Sequence, residues 1–112
     1  MSPPTSPNNI TSSSDMNALN AMHDSEIASR LAKLDGWARD ATRIIKIYRF
    51  ANYHETMAFV NAVAWVAHRS DHHPDLEVGY KHCSVTYTSH DVGGLSARDF
   101  DNAAKIDALF SL

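Results

Sequence analysis

Two adjacent histidines, His72 and His73, stand directly before Pro74, and a further histidine, His90, closes a stretch of polar and β-branched residues. Six of the seven histidines lie between residues 54 and 90 of the 112-residue chain. Imidazole has an ordinary pKa of about 6.5, so it both donates and accepts protons near neutral pH, and it is the commonest metal ligand in proteins. The cluster raises three interpretations: a metal site, a helix cap and general acid/base catalysis.

A metal site would draw on His68 and His72, because ligands spaced i, i+4 share one face of a helix. The same helix turn contains no Glu, and the single cysteine, Cys83, does not fall at a useful ligand spacing. We therefore assign no metal ligands, and a three-histidine zinc site stays open as an alternative.

As a helix cap, His72 and His73 would bind the carbonyl groups at a helix C-terminus, where a positive charge contributes ~0.3–1 kcal/mol.

As catalysts, they would serve a reaction that loses water. Such a reaction needs an acid at the departing hydroxyl and a base at the adjacent N–H or C–H, and each positioned group contributes ~10²–10⁴-fold to the rate. Two or three imidazoles around one pocket suffice without a cofactor, and the spacing alone does not separate this interpretation from the cap.

The first half of the chain predicts a helix followed by a β-hairpin. The segment DSEIASRLAKLDG has an apolar stripe at helical spacing, with Asp24 or Ser25 as the N-cap and Gly36 as the left-handed stop. The segment WARDATRIIKIYRFA then predicts a short strand near Trp37 and a longer strand over Arg43–Arg49.

The segment NYHETMAFVNAVAWVAHRSD predicts the central helix, with Asn52 as its N-cap. Pro74 is expected to end this helix and to force His73 into an extended conformation. Trp65 falls outside the apolar arc, which favours either a surface position or a subunit contact. The arc itself is made of Tyr53, Met57, Phe59, Val60, Val63, Ala64, Val66 and Ala67.

The segment EVGYKHCSVTYTSH alternates with period two, which predicts a half-buried antiparallel strand paired with a short strand in LEVGY. The buried face of the longer strand would carry Cys83, Val85 and Tyr87. A last helix would begin at Ser96 as N-cap, with Asp99 at the third position in a capping box. The order α-β-β-α-β-β-α predicts an α+β fold, a single four-stranded antiparallel sheet with helices packed on one face. His72, His73 and His90 would then lie at element ends along one rim of the sheet, where ligand groups usually converge.

The composition predicts one soluble domain. Residues 1–22 are rich in Ser, Pro and Asn, which predicts a disordered polar tail and leaves residues 23–112 as the domain. A net charge of −3 gives no electrostatic case for nucleic acid. One cysteine fits a reducing compartment, no apolar run approaches the ~20 residues of a membrane span, and the N-terminus lacks the layout of a secretory signal. We therefore expect a cytoplasmic protein that binds neither nucleic acid nor a membrane.

Several of these residues fall into one spaced pattern, which consists of His68, His72, His73, Pro74, Tyr80, His90 and Asp99. Together with GW at 36–37, HCSVTYTSH and GLSARDFDNAAKI, this pattern resembles that of the pterin-4a-carbinolamine dehydratases over about residues 24–112. The resemblance implies a cofactor-free enzyme that removes water from a 4a-hydroxytetrahydropterin and leaves the quinonoid dihydropterin. It also implies a role in recycling tetrahydrobiopterin after an aromatic amino acid hydroxylase.

The resemblance further implies which residues form the site. His72 and His90 would transfer protons, and His73 would bind the pterin and assist. Asp99 would orient a histidine, which makes the catalytic set His72, His73, His90 and Asp99. The substrate-binding set would be Asp71, His72, His73, Thr88, Ser89, His90, Asp91 and Trp37. Simpler roles stay open for some of them: a helix cap for Asp99, a core position for Trp37, and ordinary strand-end positions for Thr88 and Ser89.

Two residues depart from the common form of the pattern. His68 stands where many members carry Glu, which changes the local charge, and Leu76 stands where many carry Trp, which bears on pocket shape or subunit contact. Members of the family also act without catalysis, as dimerisation partners of a transcription factor or in Rubisco assembly. A non-catalytic scaffold is therefore the alternative function, and a homodimer or homotetramer is implied in either case.

Overall fold

The computed structural model describes residues 21–110. It contains three α-helices, α1 (Asp24–Leu31), α2 (Tyr53–Ser70) and α3 (Ala97–Phe110), and four strands, β1 (Ala38–Asp40), β2 (Arg43–Arg49), β3 (Asp75–Val78) and β4 (His82–Tyr87). A short 3₁₀ turn at His90–Val92 lies between β4 and α3. Residues 1–20 of the predicted tail lie outside the described residues. At Met22 the backbone N–H donates to the carbonyl of Leu95 at 2.8 Å.

The four strands form one antiparallel sheet in the order β1-β2-β4-β3. The central pair runs from Ile44 opposite Tyr87 to Arg49 opposite His82. The hairpin of β1 and β2, the pairing of β3 with β4 and the predicted order of elements are all confirmed, and with them the α+β fold.

One face of the sheet is covered by helices and forms the core. The period-two prediction for β4 is confirmed, because Cys83, Val85 and Tyr87 are fully buried. The helices contribute Ile27 from α1, Phe59 and Val63 from α2, and Phe100, Ala103 and Ile106 from α3. On the opposite face of the sheet, the side chain of Ile47 on β2 is exposed.

The prediction for the start of α1 is wrong. The N-cap is His23, which makes no side-chain capping bond, and Asp24 lies in the first turn. An acidic side chain there is stabilised by the positive end of the helix dipole without acting as a cap. The helix ends at Leu31, and Gly36, with φ of +81°, closes the turn that follows rather than the helix itself.

The N-cap of α2 is confirmed, since Asn52 Oδ1 accepts the Glu55 N–H at 2.8 Å. Its buried line runs through Thr56, Phe59, Val63 and Ala67, so the predicted arc is only partly correct. Tyr53 and Ala64 from the predicted arc are exposed. Thr56 is polar but can be buried in this line because its hydroxyl lies 3.0 Å from two carbonyl oxygens, those of Asn52 and Tyr80, to which it can donate.

The C-terminus of α2 corrects the prediction for Pro74. The helix ends at Ser70, because Asp71 adopts the left-handed conformation with φ of +51°. The N–H of Asp71 donates to His68 O at 3.3 Å and the N–H of His72 to Ala67 O at 3.2 Å. These are the two bonds of a Schellman motif, which stops a helix without proline. His72 is the second residue after the end of the helix, and its bond to Ala67 O fixes its backbone position.

Candidate active site

His72 is held by one polar and one aromatic contact. Its Nε2 lies 2.6 Å from Asp99 Oδ1, and its ring stacks on Tyr87 with centroids 5.5 Å apart and an interplanar angle of 12°. The residue is only 9 % exposed. The backbone turn at Asp71 aims the side chain at the core, and α3 and β4 supply the two groups that hold it there.

The contact with Asp99 determines which nitrogen of His72 carries the proton. An ionised carboxylate only accepts hydrogen bonds, so Nε2 must be the donor. Nδ1 makes no hydrogen bond with any residue between 21 and 110. In the neutral ring Nδ1 therefore carries the free lone pair, and it is the atom that can exchange a proton with a bound molecule.

Asp99 is itself completely buried. Its Oδ2 accepts the Ser89 hydroxyl at 2.9 Å and the Ser96 N–H at 3.0 Å. The Ser96 contact is the carboxylate half of the predicted capping box, so that half is confirmed. Because Oδ1 meanwhile binds His72, one carboxylate both caps α3 and orients the histidine.

Strand β4 leads into a tight loop that carries His90. An isolated bridge pairs Ser89 with Gly94, and Gly93, with φ of +69°, lets the chain turn back between them. The side chain of His90 is exposed, as is that of His73. Neither imidazole forms a hydrogen bond or ion pair within the described part of the chain.

Asp91 is an exposed anion in this loop. Its hydrogen bond to Arg98, 2.6 Å long, holds the pKa of the carboxyl group below its usual value, and the positive charge of Arg98 adds to this. The charge on a protonated His72 acts in the same direction, which places Asp91 within electrostatic reach of that ring. The surface beside His72 thus carries the exposed ion pair of Asp91 and Arg98.

Trp37 and Thr88 serve structural contacts. Trp37 is 6 % exposed, its ring packs against Tyr48 and Tyr87, and its indole N–H lies 3.2 Å from both oxygens of Asp107. The hydroxyl of Thr88 donates to Thr42 O at 2.6 Å and so ties the end of β4 to the β1–β2 loop. Trp37 touches Tyr87 and Tyr87 touches His72, so the tryptophan lies behind the stacked pair.

Tyr80 is the one member of the sequence pattern that lies far from this site. It is 67 % exposed in the β3–β4 turn and stacks on Tyr53 with centroids 5.7 Å apart. Tyr53 begins α2 and His72 follows its end, and an 18-residue helix is about 27 Å long. Spacing in sequence did not reveal this separation.

Sequence reasoning missed the role of Tyr87. Its alternation with Cys83 and Val85 identified a buried residue, but no local signal indicates that its ring would stack on His72. Its hydroxyl is buried without a hydrogen-bond partner in residues 21–110. Burial raises the pKa of this phenol, and the nearby charge of Asp99 raises it further, so the group stays neutral.

The structure brings together no group of three or more His, Cys, Asp or Glu side chains that could hold a metal ion within residues 21–110. His68, the second ligand of the zinc alternative, is exposed and lies beside Trp65, with ring centroids 6.2 Å apart. None of the helices in the same range is long and apolar enough to cross a membrane.

The chain is similar to known proteins over most of its length. A family model described as pterin 4 alpha carbinolamine dehydratase matches residues 20–109. A protein of Nitrosospira multiformis, provisionally named a pterin-4-alpha-carbinolamine dehydratase, is 53 % identical over 95 residues, which cover 85 % of this chain and 84 % of the relative. A relative from Paracidovorax citrulli with the same provisional name is 51 % identical over 98 residues, with 84 % of each chain covered.

Two solved structures share the fold. A protein of Brucella melitensis described as a transcriptional coactivator/pterin dehydratase superposes with a TM-score of 0.77 and 28 % identity, over 80 % of this chain and 98 % of that one. A pterin dehydratase-like protein described as a RuBisCO assembly factor in the alpha-carboxysome gives a TM-score of 0.56 and 24 % identity, over 66 % and 86 % of the two chains. The second likeness concerns the fold alone.

Proposed function

The chain belongs to the pterin-4-alpha-carbinolamine dehydratase family, and on this premise we propose that it removes water from a 4a-hydroxytetrahydropterin to give the quinonoid dihydropterin. The observation that carries the proposal is the buried pair of His72 and Asp99, joined at 2.6 Å. A scaffold has no need of an imidazole whose tautomer is fixed by a carboxylate and whose second nitrogen is left without a partner.

The reaction needs one proton donated and one removed. An acid protonates the departing hydroxyl at C4a, so that the C–O bond breaks and water leaves. A base takes the proton from the adjacent ring nitrogen, and its electron pair forms the new double bond. We assign these two steps to His72 and His90, with His73 assisting, and since one proton enters and one leaves, no cofactor is consumed.

Asp99 orients His72 rather than exchanging protons itself, because both of its oxygens are occupied by donors in a fully buried position. We place the pterin against the exposed residues around His72, namely Asp71, His73, His90 and Asp91. Thr88, Ser89 and Trp37, the other members of the predicted binding set, support these residues from behind through their bonds to protein groups.

We propose that the enzyme works in the cytoplasm and recycles the tetrahydrobiopterin that an aromatic amino acid hydroxylase has oxidised. We also propose that it assembles as a homodimer or homotetramer. Trp65, which is 60 % exposed on the outer side of α2, offers an aromatic anchor for such a contact.

The deciding experiment generates the 4a-carbinolamine with a hydroxylase and follows its decay optically, with and without this protein. Wild type should accelerate the decay, and His90→Ala should lower the rate by ~10²-fold or more, the contribution of one positioned acid or base. His54→Ala, which replaces an exposed histidine in the first turn of α2, is the matched control and should behave as wild type. Equal acceleration by wild type and His90→Ala would contradict the catalytic role of His90.

A second candidate is a non-catalytic binding role on the same fold, as a dimerisation or assembly partner. It is supported by the 28 %-identical structure whose description includes a transcriptional coactivator, and by the exposed Trp65. A wild-type protein that assembles, leaves the carbinolamine decay unchanged and binds another protein through this surface would favour it over catalysis.

A further inference from the structure

Ser89 has no polar atom left for a ligand. Its backbone N–H donates to Gly94 O at 2.9 Å, and its carbonyl accepts the N–H groups of Val92 at 3.2 Å and Gly94 at 3.3 Å. Its hydroxyl lies within hydrogen-bonding distance of Ser96 Oγ and Asp99 Oδ2. Only 1 % of the surface of Ser89 is exposed, so the residue is surrounded by other protein groups.

The directions of these hydrogen bonds follow from the chemistry of the groups. Asp99 can only accept, so the Ser89 hydroxyl donates its single proton to Oδ2. The Ser96 hydroxyl must then donate to Ser89 Oγ, at 2.7 Å, and the Arg98 guanidinium donates to Ser96 Oγ at 3.3 Å. Each donor in this chain points toward Asp99, so the hydrogen bonds reinforce one another.

The chain of donors acts on the orientation of the Asp99 carboxylate. The last torsion of an aspartate side chain is broad, so a carboxylate with few partners samples many angles. Two donors on Oδ2, from Ser89 and from the Ser96 backbone, fix the plane of the group. Oδ1 is thereby aimed at His72 Nε2.

We propose that Ser89 is a positioning residue of the dehydration site: its hydroxyl holds Asp99 so that His72 keeps its proton on Nε2 and presents Nδ1 to the substrate. This inference rests on the proposed function for its effect on rate, whereas the tautomer of His72 is a property of the protein without substrate. It gives Ser89 a role different from contact with the pterin.

The test compares Ser89→Ala with two matched variants. Ser89→Thr keeps the hydroxyl, and Ser84→Ala removes the hydroxyl of another buried serine, one on the preceding strand β4, whose side chain makes no hydrogen bond in residues 21–110. Each protein is assayed for carbinolamine dehydration, and the ring nitrogens of His72 are observed by ¹⁵N NMR without substrate, with His72→Gln used to assign the signals. Thermal melting monitored by circular dichroism confirms that each variant is folded.

We expect Ser89→Ala to lower kcat about tenfold and to change KM less than about twofold, because the lost interaction acts in the transition state and not in binding. Its His72 nitrogens should move from the shifts of a single Nε2–H tautomer toward those of a mixture. Ser89→Thr should restore both properties, and Ser84→Ala should match wild type. Ser96→Ala removes the next donor in the chain and should shift the His72 tautomer in the same direction. If Ser89→Ala does not fold, the tautomer in Ser96→Ala tests the positioning role instead.

Two results would overturn the inference. A raised KM with kcat unchanged in Ser89→Ala would make Ser89 a substrate-binding residue. An unchanged tautomer of His72 in both Ser89→Ala and Ser96→Ala would remove the positioning role. If wild type itself has no dehydratase activity, the proposed function fails, and the NMR comparison alone still decides whether Ser89 positions His72.

Discussion

At the scale of single residues, the site depends on which buried polar atoms have partners. Asp99 uses both oxygens, whereas the hydroxyl of Tyr87, the residue on which His72 stacks, has no partner in the described range. Tyr48 is an equally buried phenol whose hydroxyl donates to Asp107. The two tyrosines thus differ in hydrogen bonding while sharing the same core.

Replacing each tyrosine by phenylalanine should change the free energy of unfolding differently, because only the Tyr48 hydroxyl has a hydrogen-bond partner in the described range. Tyr87→Phe removes an unpaired hydroxyl, so the free energy of unfolding should stay unchanged or rise by up to ~1 kcal/mol. Tyr48→Phe breaks a bond to a charged group and should lower it by ~1.5–3 kcal/mol. Urea denaturation measures both, and equal losses in the two variants would mean that the Tyr87 hydroxyl has a stabilising partner.

At the scale of elements, turns with left-handed residues position His72 and His90, the proposed catalytic groups. Asp71 ends α2 in a Schellman motif and so delivers His72 to the core. Gly93 reverses the chain after His90. The β1–β2 hairpin has a similar turn at Ala41, with φ of +55°, a conformation that disfavours residues with a Cβ atom.

The Ala41 turn offers a direct test of that backbone strain. Ala41 is exposed and begins a two-residue hairpin loop between the paired residues Asp40 and Arg43, a position where glycine is preferred. Ala41→Gly should raise the free energy of unfolding by ~0.5–1 kcal/mol, and Ala41→Val should lower it. Chemical denaturation of the three proteins checks the order, and a glycine variant less stable than wild type would contradict the assigned strain.

At the scale of the whole molecule, several ionisable groups are buried in neutral form. Burial raises the pKa of the Cys83 thiol above its ordinary value of 9.0. Burial also raises the pKa of Tyr48 and Tyr87 above 10.0, helped by the charges of Asp107 and Asp99 respectively. In the unfolded chain these groups would ionise at their ordinary values.

This difference predicts that stability falls in alkali. A folded-state pKa above the unfolded one contributes stability that is complete below the unfolded pKa and is lost as the pH rises past it. The free energy of unfolding should therefore decline from about pH 9 upward, as first Cys83 and then the tyrosines ionise only in the unfolded state. Urea denaturation between pH 7 and 11 measures the slope. Tyr87→Phe should show a shallower decline, and identical slopes in variant and wild type would exclude Tyr87 as a contributor.

Local sequence patterns were enough to predict the elements and much of their order. Local periodicity identified the alternation of β4, the Asn52 cap of α2 and the helix start at Ser96, because each depends on residues a few positions apart. The spacing of the histidines and Pro74 pointed to the family, which the family match then confirmed.

The assembly of the site depends on contacts between residues that are distant in sequence. His72 and Asp99 are 27 positions apart, and no periodic pattern connects them. Their contact depends on the Asp71 turn, the Tyr87 ring and the Ser89 hydroxyl all meeting at the point where α2, β4 and α3 pack together. The separation of Tyr80 from this point has the same cause, since the length of α2 sets distances that spacing along the chain does not express.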